Sequence, residues 1–159
     1  GSEICAIHLE GPYIDLDRAG AQDRPSIRPA DIQEIATLIG LAPGHFRFLI
    51  TLAPELEGAR ALIEHYRSRV LFSIGHTSAD YAEAVAALEW GAKHFTHLFN
   101  AMTGMHHREP GVVGAAFVST DATAELNADG VHVHPAMLRI AVMMTLWPRT
   151  SVSAFGWQE

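Results

Sequence analysis

The chain has 159 residues, enough for one sizeable core and short for two. With 48% apolar residues and a slightly positive mean hydropathy, it reads as globular and not disordered. A formal charge of −7 without a concentrated Lys/Arg face argues against nucleic acid or anionic lipid as the main partner.

Taken in order, Ile4 to Leu9 is a short apolar run closed by Gly11-Pro12, a buried strand followed by a turn. Asp15 to Ser26 is polar and broken by Gly20 and Pro25, so a loop is expected. A helix follows from about Pro29, with Ile32, Ile35, Ala36, Leu38 and Ile39 near helical spacing and Gly40 as its stop. Phe46 to Leu52 predicts the second strand. The segment from about Glu55 predicts an amphipathic helix with Leu56, Ala59, Leu62, Ile63 and Tyr66 on one face. Val70 to Ile74 predicts the third strand. Ser78 is the expected N-cap of a helix carrying Tyr81, Val85 and Leu88 and ending at Gly91. His94 to Phe99 is the fourth predicted strand, and Gly111 to Val118 a Gly-rich connection or short helix. Thr123 to Ala128 is the fifth strand, and a last helix starts near Pro135, a residue suited to a first helical position. The stretch 149–159 has no clear periodicity and is expected to be an irregular tail foreign to the barrel.

No run of about 18 apolar residues predicts a transmembrane helix, and the start lacks the features of a signal peptide. The single cysteine, Cys5, excludes an intramolecular disulfide and suits a cytoplasmic protein. Strand–helix alternation argues for a parallel sheet with right-handed crossovers. Candidate ligands fall at strand C-terminal ends, which favours a (β/α)₈ barrel, and no GxGxxG supports an open doubly wound sheet. The fold class expected is α/β, a partial barrel of about five βα units forming a single incomplete domain over 1–159. Five strands do not close an eight-stranded barrel, so the chain is read as a piece of one.

Three strand ends deliver chemistry-bearing side chains: Glu10, His76 and His97. One carboxylate and two imidazoles form the donor set of a catalytic zinc site that keeps a position open for water. Each residue alone has a plainer reading, a core histidine or a solvated turn glutamate, and their shared topological position favours a metal. His8 shares a strand face with Glu10 and is expected to be a supporting or core residue. His94 is expected to be structural, and His106 and His107 to be solvated loop residues.

Five motifs occur in order: His8-Leu9-Glu10-Gly11-Pro12-Tyr13, Gly75-His76-Thr77-Ser78-Ala79, Thr96-His97-Leu98-Phe99-Asn100-Ala101-Met102, Arg108-Glu109-Pro110-Gly111 and Ala128-Asp129-Gly130-Val131-His132-Val133. Together they resemble the N-acetylglucosamine-6-phosphate deacetylases of the amidohydrolase superfamily, from about Ile4 to Met144. The resemblance implies a metal-dependent barrel that removes acetate from a phosphorylated N-acetyl amino sugar, and a homodimer for the full-length family member. It implies Glu10, His76 and His97 as ligands of one divalent ion, zinc first, with Fe, Co or Mn also compatible. It further implies Asn100, Ala101, Arg108 and His132 as contacts to the sugar phosphate.

Two departures stand out. Gln22 occupies the place of a family His that polarises the substrate carbonyl; its amide can donate a hydrogen bond but carries no charge. The family's general acid/base Asp, expected some way beyond the His132 motif, has no counterpart, since Ser151 to Glu159 contains no Asp. Asp121, in Thr120-Asp121-Ala122, lies on the wrong side of that motif and reads as a solvated loop residue. No catalytic residue is therefore assigned, and the chain alone is expected to be weakly active or inactive. The rivals are another amidohydrolase, such as a deaminase or cyclic amidase, a non-catalytic metal- or phosphosugar-binding fragment, and an open barrel that self-associates through exposed apolar surface without function.

Overall fold

The computed structural model describes residues 4, 6–42, 44, 46–146 and 151–155. Six parallel strands lie side by side in chain order: β1 (Ala6–Glu10), β2 (Arg47–Leu52), β3 (Val70–Ile74), β4 (His94–Phe95), β5 (Thr123–Asn127) and β6 (Ser151–Phe155). Five helices supply the crossovers: α1 (Ile32–Leu41), α2 (Ala59–Tyr66), α3 (Tyr81–Trp90), α4 (Gly111–Val118) and α5 (Pro135–Leu146). Strand order equal to chain order with a helix between neighbours is the winding of a (β/α)₈ barrel, here a curled part of one.

The register explains the two faces. The aligned row Leu52–Ile74–Phe95–Ala124 is apolar, and with Ile50, Phe72 and Leu126 it packs against Leu62, Ile63, Ala84, Ala87, Val112 and Ala115 of the helices. The neighbouring row, Glu10–Thr51–Ser73–His94–Thr123, is polar throughout. Because successive side chains alternate across a strand, this row lines the inner face. It could not remain there unpaired, and it does not. Thr96 Oγ1 lies 2.7 Å from Thr51 Oγ1 and 2.6 Å from Ser73 Oγ, and Thr51 reaches His8 Nε2 at 2.8 Å. Hydroxyls satisfy one another where burial would otherwise be costly.

Several boundaries differ from the sequence expectation. The expected Asp15 to Ser26 loop contains two 3₁₀ turns, at Leu16–Arg18 and Arg24–Ser26. Helix α1 runs one residue past Gly40. Helix α2 starts at Ala59 instead of near Glu55, because Glu55 turns away to bond elsewhere. Asp80, not Ser78, caps α3: its carboxylate accepts from Glu83 N–H while the Glu83 side chain accepts from Asp80 N–H, a reciprocal box. Gly91 closes that helix as expected, with φ +127°. The 111–118 stretch is a helix. Strand β4 ends at Phe95, four residues before the expected end, because the chain leaves extended geometry at His97. Within the tail expected to be irregular, Ser151–Phe155 is a strand paired in parallel with β5; 147–150 and 156–159 lie outside the described residues.

Candidate metal centre

Three strand C-terminal ends meet in one place. Glu10 is the last residue of β1, His76 lies two residues beyond β3, and His97 two beyond β4. One ligand atom from each lies within 4.8 Å of the others. Gly75 makes this approach possible. A Cβ there would stand 2.9 Å from Thr96 Cβ and 3.0 Å from Thr51 Cγ2, so only hydrogen fits between the strand ends. Four non-glycine residues around the site hold positive φ: His76 at 49°, His97 at 33°, Phe99 at 84° and Ala101 at 48°. Such conformations cost free energy and persist only where surrounding bonds enforce them.

The protonation pattern follows from the partners. His76 Nδ1–H donates to the Arg18 carbonyl at 2.7 Å, and a carbonyl can only accept. The neutral ring therefore turns a lone pair at Nε2 toward Glu10 Oε1, 2.7 Å away, and His97 Nε2, 3.0 Å away. His97 Nε2 is 3.3 Å from the same carboxylate oxygen. Electron pairs so close together need a cation among them, either a proton or a metal ion. Burial would lower the His76 pKa, but the bonds to Glu10 and the Arg18 carbonyl outweigh it and leave it raised. The His76 and His97 bonds hold the Glu10 carboxyl well below the usual carboxylate range. His97 Nδ1 is buried and has no partner among the described residues. Two imidazole nitrogens and one carboxylate oxygen, one tautomer fixed by a backbone carbonyl, fit a divalent transition metal.

Gln22 is part of this cluster. Its Nε2–H donates to Glu10 Oε1 at 3.0 Å, so the amide points at the ligand carboxylate. His8 belongs to the inner-face network and not to the triad, and burial pushes its pKa down despite the nearby Glu125 and Glu10. His94 is structural, as expected: its ring bridges Thr123 Oγ1 at 2.5 Å and Glu125 Oε1 at 3.1 Å. Burial opposes the charge on Glu125, but the bond to His94 wins and its pKa is lowered.

The remaining candidates sit on loops of the same end. Asn100 lies three residues beyond His97 in the turn, and its N–H and Nδ2 both donate to the His97 carbonyl, at 2.9 and 3.3 Å. The Ala101 carbonyl accepts from Thr77 N–H at 3.0 Å, tying the β4 turn to the β3 turn. Arg108 is exposed, with its N–H on His106 Nδ1 at 3.3 Å, and the His106 and His107 rings are 4.1 Å apart. His132 is exposed beyond β5, where Asp129 accepts from its Nδ1 at 2.5 Å and from two backbone N–H groups; these bonds lower Asp129 to about 2. Asp121 precedes β5, hence at the opposite end of the sheet, and is exposed. Sequence reasoning missed Glu125 and Glu55. Glu125 lies in strand β5, where the alternation of Thr123, Glu125 and Asn127 with Ala124 and Leu126 was the available signal. Glu55 opens the expected helix in the sequence pattern, and no local signal marks its contact with Thr77 and Ser78.

No family model matches the chain. Its sequence is 43% identical over 144 residues to the N-acetylglucosamine-6-phosphate deacetylase of Bacillus subtilis (strain 168), which covers 90% of this chain and 36% of that protein. It is 40% identical over 141 residues to the N-acetylgalactosamine-6-phosphate deacetylase of Escherichia coli O157:H7, covering 88% of the chain and 37% of the relative. Among solved structures, a mutant of the Mycobacterium smegmatis N-acetyl-D-glucosamine-6-phosphate deacetylase, in complex with N-acetyl-D-glucosamine-6-phosphate, superposes with a TM-score of 0.86 at 38% identity. It covers 92% of this chain and 39% of that one. The Thermotoga maritima deacetylase superposes with a TM-score of 0.78 at 32% identity, covering 88% and 37%. The chain thus spans little more than a third of the relatives it matches. Sequence and fold both bear out the resemblance to N-acetylglucosamine-6-phosphate deacetylases read from the five motifs.

Proposed function

We propose that this chain carries the metal- and phosphate-binding part of a barrel that hydrolyses the acetamide of a 6-phosphorylated N-acetylhexosamine, releasing acetate and the amino sugar phosphate. The observation that supports it most is the convergence of Glu10, His76 and His97, with the Arg18 carbonyl fixing the His76 tautomer. The ion proposed is zinc, with iron, cobalt or manganese acceptable to the same donors. When bound it supplies Lewis acidity for amide hydrolysis and lowers the pKa of water.

The chain's own residues then divide the work. Glu10, His76 and His97 hold the ion. Gln22, whose amide donates to Glu10 at 3.0 Å, offers its remaining N–H to the acetyl carbonyl as an uncharged hydrogen bond in this proposal. Arg108 offers a charged fork to the phosphate, and Asn100, the Ala101 backbone and His132 complete that end. Fixing the phosphate orients the sugar so that its amide meets the metal centre. Proton transfer is assigned to no residue of this chain. Asp129 is committed to His132, and Asp121 lies at the far end of the sheet. A cytoplasmic setting and a homodimer of the longer protein belong to the same proposal. No helix among the described residues is long and apolar enough to cross a membrane.

A second reading concerns the sugar. The 40% identity to an N-acetylgalactosamine-6-phosphate deacetylase supports the C4 epimer nearly as well as the gluco sugar. Acetate release should be measured for both phosphosugars and for unphosphorylated N-acetylglucosamine, using a longer protein containing this barrel segment and this chain alone. The expected result is chelator-sensitive release by the longer protein, dependent on phosphate, with little or none from the chain alone. Absence of release from either phosphosugar by the longer protein would overturn the proposal.

A further inference from the structure

We infer that Glu55 is a positioning residue of the metal centre: its carboxylate clamps the turn Thr77-Ser78 and so holds the His76 imidazole at the ion. This rests on the reading of Glu10, His76 and His97 as ligands.

His76 adopts φ +49°, a left-handed conformation that a non-glycine residue does not keep without restraint. Three groups of bonds impose it. The His76 carbonyl accepts from Asp15 N–H at 2.8 Å, and Thr77 N–H donates to the Ala101 carbonyl at 3.0 Å. The third is Glu55, from the loop between β2 and α2. Its Oε2 accepts from the Thr77 hydroxyl at 2.5 Å, and its Oε1 from Ser78 N–H at 2.7 Å. Both oxygens of one ion are used on successive residues, which fixes the turn in rotation as well as in position. Burial pushes the Glu55 carboxyl pKa up, and the bonds from the Thr77 hydroxyl and Ser78 N–H oppose that rise by favouring the charged form, so carboxylate and turn hold each other. Thr77 is fully buried and its Oγ1 also accepts from Ala79 N–H at 2.9 Å, so the hydroxyl has one orientation left, toward Glu55.

An ordinary structural role would be to start helix α3, but that helix does not need it. Asp80 and Glu83 already form a reciprocal cap there. Glu55 acts upstream of the cap, on the residues joined to the ligand. With Glu10 at the end of β1 and His97 beyond β4, displacement of the His76 turn moves one corner of the triad relative to the other two.

The test uses this chain with zinc and cobalt(II) as probes. Affinity is measured by competition with a chelator and geometry by the visible spectrum of the cobalt form, for the parent, Glu55→Gln, Thr77→Val and Thr77→Ser. Far-UV circular dichroism checks that each variant is folded at the measuring temperature. Glu55→Gln and Thr77→Val should each bind metal about 10–100-fold more weakly, as loss of a supporting bond around a metal ligand does, with altered cobalt bands. Thr77→Ser, which keeps the hydroxyl, should restore both. A merely structural Glu55 would lower the melting temperature and leave the cobalt spectrum alone. Unchanged affinity and spectrum in folded Glu55→Gln or Thr77→Val, with the parent binding one equivalent, would overturn this inference while the metal reading stands. A parent chain that binds no stoichiometric metal would overturn both.

Discussion

The proposed metal end and the proposed sugar-phosphate end of the site are built in different ways. Glu10, His76 and His97 are anchored at strand ends and backed by backbone bonds, with His76 only 4% exposed. Arg108 and His132 lie on loops and face solvent, His132 with a side chain 58% exposed. The first region is pre-formed before any ligand arrives. The second is a set of charges and donors that a phosphate would have to gather. A metal ion needs ligand atoms placed to within fractions of an ångström, whereas a phosphate dianion is attracted over several ångströms and tolerates long flexible arms.

That contrast can be broken, the largest effect first. His76→Ala should reduce zinc affinity more than about 100-fold, beyond the cost of losing a supporting bond, as read by chelator competition. Retention of tight stoichiometric binding would show that the strand ends are not the metal site. Arg108→Ala in the longer protein should weaken phosphosugar binding by about 1.5–3 kcal/mol, the range for hydrogen bonds to charged groups, and leave zinc affinity unchanged. A change in both would mean that the two ends are not separate.

Thr51→Val tests whether the polar inner face supports the fold or the metal. It removes the group between His8 Nε2 and Thr96 Oγ1 and should cost about 1–3 kcal/mol in denaturant unfolding, with metal affinity preserved. The smallest effect lies farthest from the site. Arg28 pairs with Glu34 and lowers its pKa below the usual 4.5. A depressed carboxyl pKa contributes stability above the unfolded value, and that contribution is lost as pH falls through the folded value. The pair is substantially exposed, so screening limits it to at most about 1 kcal/mol. Glu34→Gln should therefore lower stability slightly at pH 7, by a difference that shrinks as the pH falls below the usual carboxylate range, read from urea midpoints.

Local residue pattern and tertiary context divided the outcome. The parallel strand–helix alternation, the third strand and the Gly91 stop were legible because apolar period and glycine punctuation are local signals. The three candidate ligands were legible too, since each ends an apolar run. The start of α2, the cap of α3 and the end of β4 were not. Glu55 leaves the helical pattern for Thr77 and Ser78, over twenty residues away, and Asp80 competes with Ser78 for the same helix end. Alternation along the expected strand His94 to Phe99 would put His94 and His97 on opposite faces. The strand stops at Phe95, so alternation does not reach His97, and a turn with φ +33° brings that ring to Glu10 instead.

By itself, then, the sequence determined the fold class, the order of the first five strands and the identity of the candidate donor residues, because these depend on side-chain chemistry and near-neighbour spacing. Only the tertiary structure decided that Glu10, His76 and His97 converge, that Gln22 points at Glu10, and that the Arg18 carbonyl selects the His76 tautomer. The reason is separation along the chain. The bonds joining Glu10 to His97 and Arg18 to His76 close loops of 87 and 58 residues, and no local periodicity encodes which ends of such loops will meet.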